Sequence, residues 1–496
     1  MSVPTESSID EADSASVQRN AVRGSVVAIA DNLVRAVLGI GTTLLVAAHV
    51  SKEDFGLISI ALAVETVLIV LRNGGFAGAL IQRKDLQEIH INSVFWIGII
   101  LSVVLVFGLW CIAEPLAAFY ENTKLVSVLK VLTISIIALG FSGVPEALLR
   151  RRLQFGRLMA VNSGSAVVGS ATAIVAAVMG AGVWALALRI VVARLLVALI
   201  SWFVCDWRPR RQIDFKGVGE LLTFGGYLFL AALMTFAKDR LDGPIIGKLI
   251  GIEAAGLFFM ARNLALSIIQ QVCGALGQVM FAAFSAVQTD ESALRSGYLT
   301  GTRCLSVLVF PLVACIVATS PEAVPLILGD KWEGLTALIQ VVSLQGITIC
   351  LGVGISPVLL SVGRSRALLA LTMIRAGIAV GAFGIGCRWG VLGVAIAWTV
   401  AVFLWAPVEL RLVCRQLGLK FDVAISNICG PLLAATVAAL TVRGLVSCMI
   451  GTDPFTMVML ELVAGALVYS VLTLVFERNT LQKLRGDLGR SFGAVS

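Results

Sequence analysis

Long apolar runs alternate along the chain with short polar connections, many of them basic. Fourteen runs stand out, near residues 24–49, 55–73, 92–113, 127–149, 159–180, 183–205, 222–249, 255–279, 300–319, 335–361, 367–387, 390–411, 425–447 and 455–476. A helix rises about 1.5 Å per residue, so each run is long enough to cross a hydrocarbon core of about 30 Å. The runs are continuous. The strands of a membrane barrel would instead alternate apolar and polar positions. The pattern therefore predicts an all-α polytopic membrane protein with about fourteen transmembrane helices. Composition agrees: of 496 residues, 58% are hydrophobic and only 14% charged, well below the charge of an ordinary soluble domain.

The basic residues test the count. With both termini on one side, 24 Lys and Arg fall at that side's connections, among them Arg150, Arg151, Arg152, Arg208, Arg210, Arg211 and Arg364. Seven fall on the other: Lys52, Lys124, Lys130, Lys248, Lys331, Arg388 and Arg443. Seven more lie inside the runs. Positive charge marks the cytoplasmic side, so both termini are expected there, in a bacterial inner membrane. The net charge of +8 thus reports topology and not nucleic-acid binding. Segment 1–22 is polar, acidic at Glu6, Asp10, Glu11 and Asp13, and reads as a cytoplasmic tail without a signal peptide.

The chain also repeats itself. Glu53-Asp54-Phe55-Gly56-Leu57-Ile58 is echoed 200 residues later by Glu253-Ala254-Ala255-Gly256-Leu257-Phe258. Pro145 and Pro357, each followed within a few residues by Leu-Leu, stand 212 apart. Gly182-Val183-Trp184-Ala185 and Gly393-Val394-Ala395-Ile396 stand 211 apart. Three matches in one order at nearly one spacing imply two copies of a six-helix unit. The expected organisation is an N-lobe over 23–205, a basic linker over 206–221, a C-lobe over 222–420, two further helices over 421–477 and a cytoplasmic tail over 478–496. Six spans per copy insert both copies the same way up, an arrangement that places a substrate cavity between the halves.

The charges inside the runs are the candidate site. Leu222–Gly251 carries Lys238, Asp239, Arg240 and Asp242 a little past its centre, followed by Gly243 and Pro244. Each such charge costs about 2.5–3.5 kcal/mol at bilayer mid-depth, so they face protein or water and not lipid. On a helical wheel Lys238, Asp239 and Asp242 fall within roughly 100° and Arg240 points to the other side. Lys238 and Asp242 either neutralise each other at i and i+4 or line the cavity. Asp31 and Arg35 in the first run pose the same choice between an ion pair and a cavity mouth. Glu65 in the second is a proton or cation site or a partner of Arg35. Arg189, Arg194, Arg262 and Arg375 hold their charge and can bind phosphate oxygens in a fork, or bond helix-end carbonyls. Trp96, Trp202, Trp207 and Trp332 read as interface anchors. Cysteines inside the runs (Cys111, Cys273, Cys315, Cys350, Cys429) read as buried hydrophobes, and two histidines are too few for a metal site.

Several segments resemble the polysaccharide transporter family, narrowly its colanic-acid and succinoglycan exporter branch. They are Phe55-Gly56-Leu57-Ile58-Ser59, Ala79-Leu80-Ile81-Gln82-Arg83-Lys84-Asp85-Leu86, Ala118-Phe119-Tyr120, Leu148-Leu149-Arg150-Arg151-Arg152-Leu153-Gln154-Phe155, Gly182-Val183-Trp184-Ala185-Leu186 and Leu328-Gly329-Asp330-Lys331-Trp332. The resemblance implies the fold of the multidrug/oligosaccharidyl-lipid/polysaccharide exporter (MOP) superfamily, shared with the MATE transporters. It implies a flippase for undecaprenyl-diphosphate-linked oligosaccharide repeat units, feeding exopolysaccharide, capsule or lipopolysaccharide synthesis. A polysaccharide polymerase and a chain-length regulator are the implied partners. The alternative is a cation-coupled drug antiporter of the same fold, motivated by Asp31, Glu65, Asp239 and Asp242. No Walker loop, HExxH, GxSxG or EF-hand pattern is present, so a transporter is expected, not an enzyme, with no cofactor and with H+ or Na+ coupling left open. Alternating access by rocking of the lobes is the expected mechanism, with a lateral opening between spans 1 and 8 or 2 and 7 for the lipid tail.

Overall fold

A computed structural model describes residues 31–73, 87–152, 154–211, 230, 232–286, 290–361, 364–447 and 453–476. The two expected tails, the linker beyond residue 211, the start of span 7 and the Ala79–Leu86 motif lie outside the described residues. Among the described residues the regular structure is helical, without strands. The first half comprises α1 (31–47), α2 (Lys52–Asn73), α3 (Glu88–Phe119), α4 (Lys124–Arg151), α5 (Phe155–Val178) and α6 (Val183–Val204). The second comprises α7 (232–240), α8 (Asp242–Leu249), α9 (Ile252–Ala286), α10 (Glu291–Leu328), α11 (Leu335–Ser343), α12 (Gln345–Gly352), α13 (Ile355–Ser361), α14 (Ser365–Gly386) and α15 (Gly390–Leu417). The appended α16 (Phe421–Ser447) and α17 (Pro454–Phe476) pack on α10 and on each other.

Among the described residues eleven helical stretches are long and apolar enough to cross a membrane. One of them, 366–417, holds both α14 and α15. Span 1 is described over 31–47 only, and span 7 is broken into α7 and α8. The fourteen runs of the sequence are therefore all represented. Two are not single helices. Span 10 is segmented into α11, α12 and α13. Span 7 bends at Leu241, and Pro244 explains why. It has no N–H to offer the carbonyl of Arg240, and its ring would clash with that carbonyl in a continuous helix.

The halves meet along α2, α8 and α9, and the repeat noticed in the sequence makes the join. A β-carbon on Gly56 would lie 1.8 Å from the Ile252 carbonyl oxygen, and one on Gly256 would lie 1.9 Å from the Lys52 carbonyl oxygen. Ile252 and Gly256 stand 200 residues after Lys52 and Gly56. Each copy thus presses its glycine against the backbone of the other, as a two-fold axis requires. Around the crossing, Lys52 pairs with Glu253 at 3.8 Å. The Lys331 ammonium donates to the Val50 carbonyl at 2.5 Å and the Trp332 indole to the Ala47 carbonyl at 3.2 Å. Tyr120 donates to the Pro244 carbonyl at 3.2 Å and Lys248 to the Phe119 carbonyl at 2.7 Å. Glycines also let α8 lie against α2: β-carbons at Gly243 and Gly247 would sit 2.8 Å from Ser59 and Ile60 side-chain atoms. At this face the seam between spans 2 and 7 is shut.

Some residues differ from their sequence expectation. Trp332 is not an interface anchor. Its side chain is almost wholly buried, edge-on to Phe55 with ring centroids 5.5 Å apart. Trp96, Trp202 and Trp207 surround Phe95 at 5.4–6.0 Å, which fastens the start of the linker to the first half. Trp96 donates to the Arg210 carbonyl there at 2.9 Å. Cys111 and Cys429 are exposed on their helices, while Cys273 and Cys350 are buried. Arg72 is buried in the last turn of α2 and donates to the Gly140 carbonyl at 3.3 Å.

The crossing makes a testable prediction. Gly56→Ala and Gly256→Ala each overpack the same backbone contact and should cost about 1–3 kcal/mol, seen as a lower melting temperature of the purified protein. The double variant should melt no lower than the sum of the single shifts, because one crossing is lost, not two. Gly164→Ala, where an added β-carbon meets nothing within 4 Å, is the neutral control. Equal melting of Gly256→Ala and Gly164→Ala would refute the contact.

Candidate substrate cavity

Above the crossing the halves part and enclose a cavity of about 1090 Å³. Phe55, Phe258 and Phe259 lie in its wall beside the crossing glycines. Its walls come from α1, α2, α5 and α6 of the first half and α7, α8, α9, α12, α14 and α15 of the second. Arg35, Arg189, Arg194, Lys238, Arg240, Arg262 and Arg375 all line it. These are the seven basic residues that the topology count left inside the runs. The physics of burial explains the convergence: charges that cannot face lipid collect where water can reach them. Glu65, Asp239 and Asp242 line the same space. Of the eleven candidate residues only Asp31 stands outside the wall, held against it by its ion pair to Arg35 at 3.0 Å.

The ion pairs differ from the wheel. Lys238 pairs with its neighbour Asp239 at 3.2 Å, not with Asp242. Asp242 instead receives Arg262 of α9 at 2.6 Å, and Arg262 also reaches Asp239 at 3.5 Å. Arg240, expected to point away, lines the cavity too. The bend at Leu241 explains the first correction, since the wheel assumed one straight helix from Lys238 to Asp242. Asp31 also accepts from the Ser163 hydroxyl. Glu65 accepts from the Ser135 hydroxyl and makes no ion pair with Arg35. The cations whose charges reach it are Arg194 and Arg240.

Sequence reasoning missed one partner. Glu409, buried on α15, meets Arg375 at 3.1 Å and accepts from the Trp405 indole at 2.7 Å. A carboxylate inside the apolar run Leu404-Trp405-Ala406-Pro407-Val408-Glu409 was the available signal. With Glu409 and Asp31 included, seven cations face five carboxylates, leaving two net positive charges. Lys238, Arg262, Arg35 and Arg375 are spoken for. Among the described residues Arg189, Arg194 and Arg240 have no ion-pair partner; Arg189 makes only a 3.4 Å hydrogen bond to the Thr43 hydroxyl. The net field therefore comes from these three arginines.

This is the architecture of an all-helical multi-pass membrane protein, with two helical halves, two appended helices and a charged cavity between the halves. Solved structures share it. A lipid II flippase MurJ in an inward closed conformation superposes with TM-score 0.74 over 93% of this chain and 100% of that chain, at 12% identity. An inward-facing MATE family multidrug transporter of the MOP superfamily gives 0.63 over 79% of this chain and 98% of that one, at 17% identity.

The chain belongs to the polysaccharide biosynthesis protein family, whose model matches residues 45–337. It is 25% identical to the teichuronic acid biosynthesis protein TuaB of Bacillus subtilis over 55% of this chain and 57% of that protein. It is 21% identical to the lipopolysaccharide biosynthesis protein WzxC of Escherichia coli over 65% and 66% respectively. It is 26% identical to the succinoglycan biosynthesis transport protein ExoT of Rhizobium meliloti over 59% of each. The chain thus spans less than two thirds of the length of each of these relatives.

The pairing pattern predicts opposite effects on stability. Arg262→Leu leaves Asp242, with its side chain 11% exposed, without its counter-ion and should lower stability by about 3 kcal/mol. Arg194→Gln removes a cation that has no carboxylate partner and should leave the melting temperature unchanged or raised. Thermal unfolding of the two purified variants checks this. A melting temperature lowered equally in both would contradict the assigned pairs.

Proposed function

We propose that this chain is a flippase that carries undecaprenyl-diphosphate-linked oligosaccharide repeat units across the bacterial inner membrane. The observation that carries the reading is the cavity: seven cations line it, and among the described residues three of its arginines have no ion-pair partner. Two adjacent phosphates bring negative charge and several acceptor oxygens, the chemistry that unpaired guanidinium groups bind best. The cavity shields the diphosphate and the hydrophilic sugars, while the polyprenyl tail stays in lipid. Membership of the polysaccharide biosynthesis family supports the class of cargo. The transport relatives support movement over chemistry, so the chain acts as a transporter and not as an enzyme.

The 24-to-7 split of basic residues supports cytoplasmic termini. In that orientation the glycine crossing closes the outer face, and the cavity waits for cargo from the cytoplasm. Rocking about the crossing would then release the unit outside, where a polysaccharide polymerase with its chain-length regulator would consume it. An H+ or Na+ gradient would drive the cycle through the cavity carboxylates, Glu65 first among them because no cation pairs with it directly. A cationic drug as cargo fits poorly, since two net positive charges in a low-dielectric space repel it.

Cells lacking the chain should accumulate lipid-linked repeat units in the inner leaflet and make little polymer. Arg189→Gln, Arg194→Gln and Arg240→Gln should each reduce polymer output by about tenfold or more, the loss of one charge-assisted contact of at least 1.4 kcal/mol. Protein levels should be unchanged. Lys238→Ala should have a smaller effect, because Asp239 already holds that charge. Unchanged polymer output and unchanged lipid-linked intermediates in the deletion strain would remove this reading.

A further inference from the structure

The charges occupy only part of the cavity wall. They come from α1, α2, α6, α7, α8 and the first turns of α9, with Arg375 already tied to Glu409. The rest of the second half's wall has a different chemistry. Asn263, Ser267 and Gln270 lie at i, i+4 and i+7 on α9, on one helical face. Gln345 and Thr348 on α12 and Trp398 on α15 face the same space. Among the described residues that line the cavity, the three amide side chains and the one indole all belong to this wall.

The hydrogen bonds within the wall leave specific groups over. Gln345 donates its amide N–H to the Thr399 hydroxyl at 2.9 Å, and its carbonyl oxygen has no partner among the described residues. The Ser267 hydroxyl bonds the Asn263 carbonyl oxygen of the side chain at 2.9 Å, which leaves the Asn263 amide N–H groups unpaired. Trp398 packs at a tilt of 59° against Phe383 with ring centroids 5.4 Å apart, and its indole N–H has no partner among the described residues. Gln270 is exposed, and its amide has no partner among the described residues. Gln345 and Trp398 are only 5% and 8% exposed. What remains open is an acceptor on Gln345, a donor on Trp398 and adaptable amides on Asn263 and Gln270.

We propose that this wall is a sugar-binding subsite for the glycan of the lipid-linked unit, with the diphosphate held opposite by Arg189, Arg194 and Arg240. The proposal rests on the flippase reading and adds an orientation to it. Sugar hydroxyls both donate and accept, and side-chain amides match them with one acceptor and two donors each. A neutral wall suits such a ligand because no ionic group has to be stripped of water to meet it. The phosphate side then supplies affinity for any member of the lipid class, and the amide side selects among glycans. A site built to hydrogen-bond a hydroxyl discriminates against ligands lacking it.

The test is binding to the full-length protein in lipid nanodiscs. Two probes are compared: undecaprenyl diphosphate, and undecaprenyl diphosphate bearing a neutral hexose disaccharide. The native protein should bind the glycosylated lipid about tenfold more tightly, the worth of one or two net hydrogen bonds. Gln345→Leu should abolish that preference and leave binding of the bare lipid unchanged. Trp398→Phe, which keeps an aromatic ring but loses the indole N–H, should reduce the preference by about threefold and leave binding of the bare lipid unchanged. Equal affinity of the native protein for both probes, or equal weakening of both probes in the variants, would overturn the subsite and leave the flippase reading standing. Failure of the native protein to bind either lipid would overturn both.

Discussion

A charged side chain cannot rest against hydrocarbon, and this constraint organises the molecule. Seven cations, on five different helices, turn to one cavity. Helices bearing such residues can take up only those rotations that bring the charges together. Four of the cations are then matched by carboxylates, through pairs such as Arg262–Asp242 at 2.6 Å and Arg375–Glu409 at 3.1 Å. These pairs fasten one helix to the next and contribute little net field. The three arginines left over define what the cavity attracts. The same helices therefore carry two kinds of charge, one structural and one offered to a ligand.

The second organising feature is the internal repeat. Gly56 and Gly256 occupy equivalent places in two copies, and each is required by the backbone of the other copy. The crossing brings the lobes to backbone contact at one face, and the lobes diverge from it to leave the cavity. Trp332 and Lys331 of the second half bond carbonyl groups at the end of α1 and just beyond it, sealing the same face with contacts that can be released and remade. Rocking about this crossing would have to release the Phe55–Trp332 contact together with the hydrogen bonds around the glycines.

Much of this was legible in the sequence, for definable reasons. Span number follows from apolar run length, which is a local property. The repeat was visible because Phe55-Gly56-Leu57 and Ala255-Gly256-Leu257 keep their pattern under a packing constraint. The cavity residues were visible because a charge in an apolar run is rare. The partners were not visible. Assigning Lys238 to Asp242 assumed a straight helix, and the bend ahead of Pro244 reassigned both residues. Pairing of Arg375 with Glu409 needs α14 and α15 side by side, which no local pattern states. Trp332 looked like an interface anchor because its burial depends on a contact with Phe55, 277 positions away in the chain. The amide wall escaped notice because Asn and Gln are unremarkable in sequence and gain meaning only from the groups left unpaired around them.

The central claim is that a net positive cavity moves an anionic lipid-linked glycan from one leaflet to the other. Reconstituted proteoliposomes loaded with undecaprenyl-diphosphate-linked oligosaccharide test it directly, with a membrane-impermeant lectin reporting the glycan on the outer leaflet. Native protein should bring the inner-leaflet pool within reach of the lectin, while the triple variant Arg189→Gln, Arg194→Gln, Arg240→Gln should leave it protected, as in protein-free liposomes. Protection of the inner pool in vesicles that hold correctly folded native protein would contradict the account.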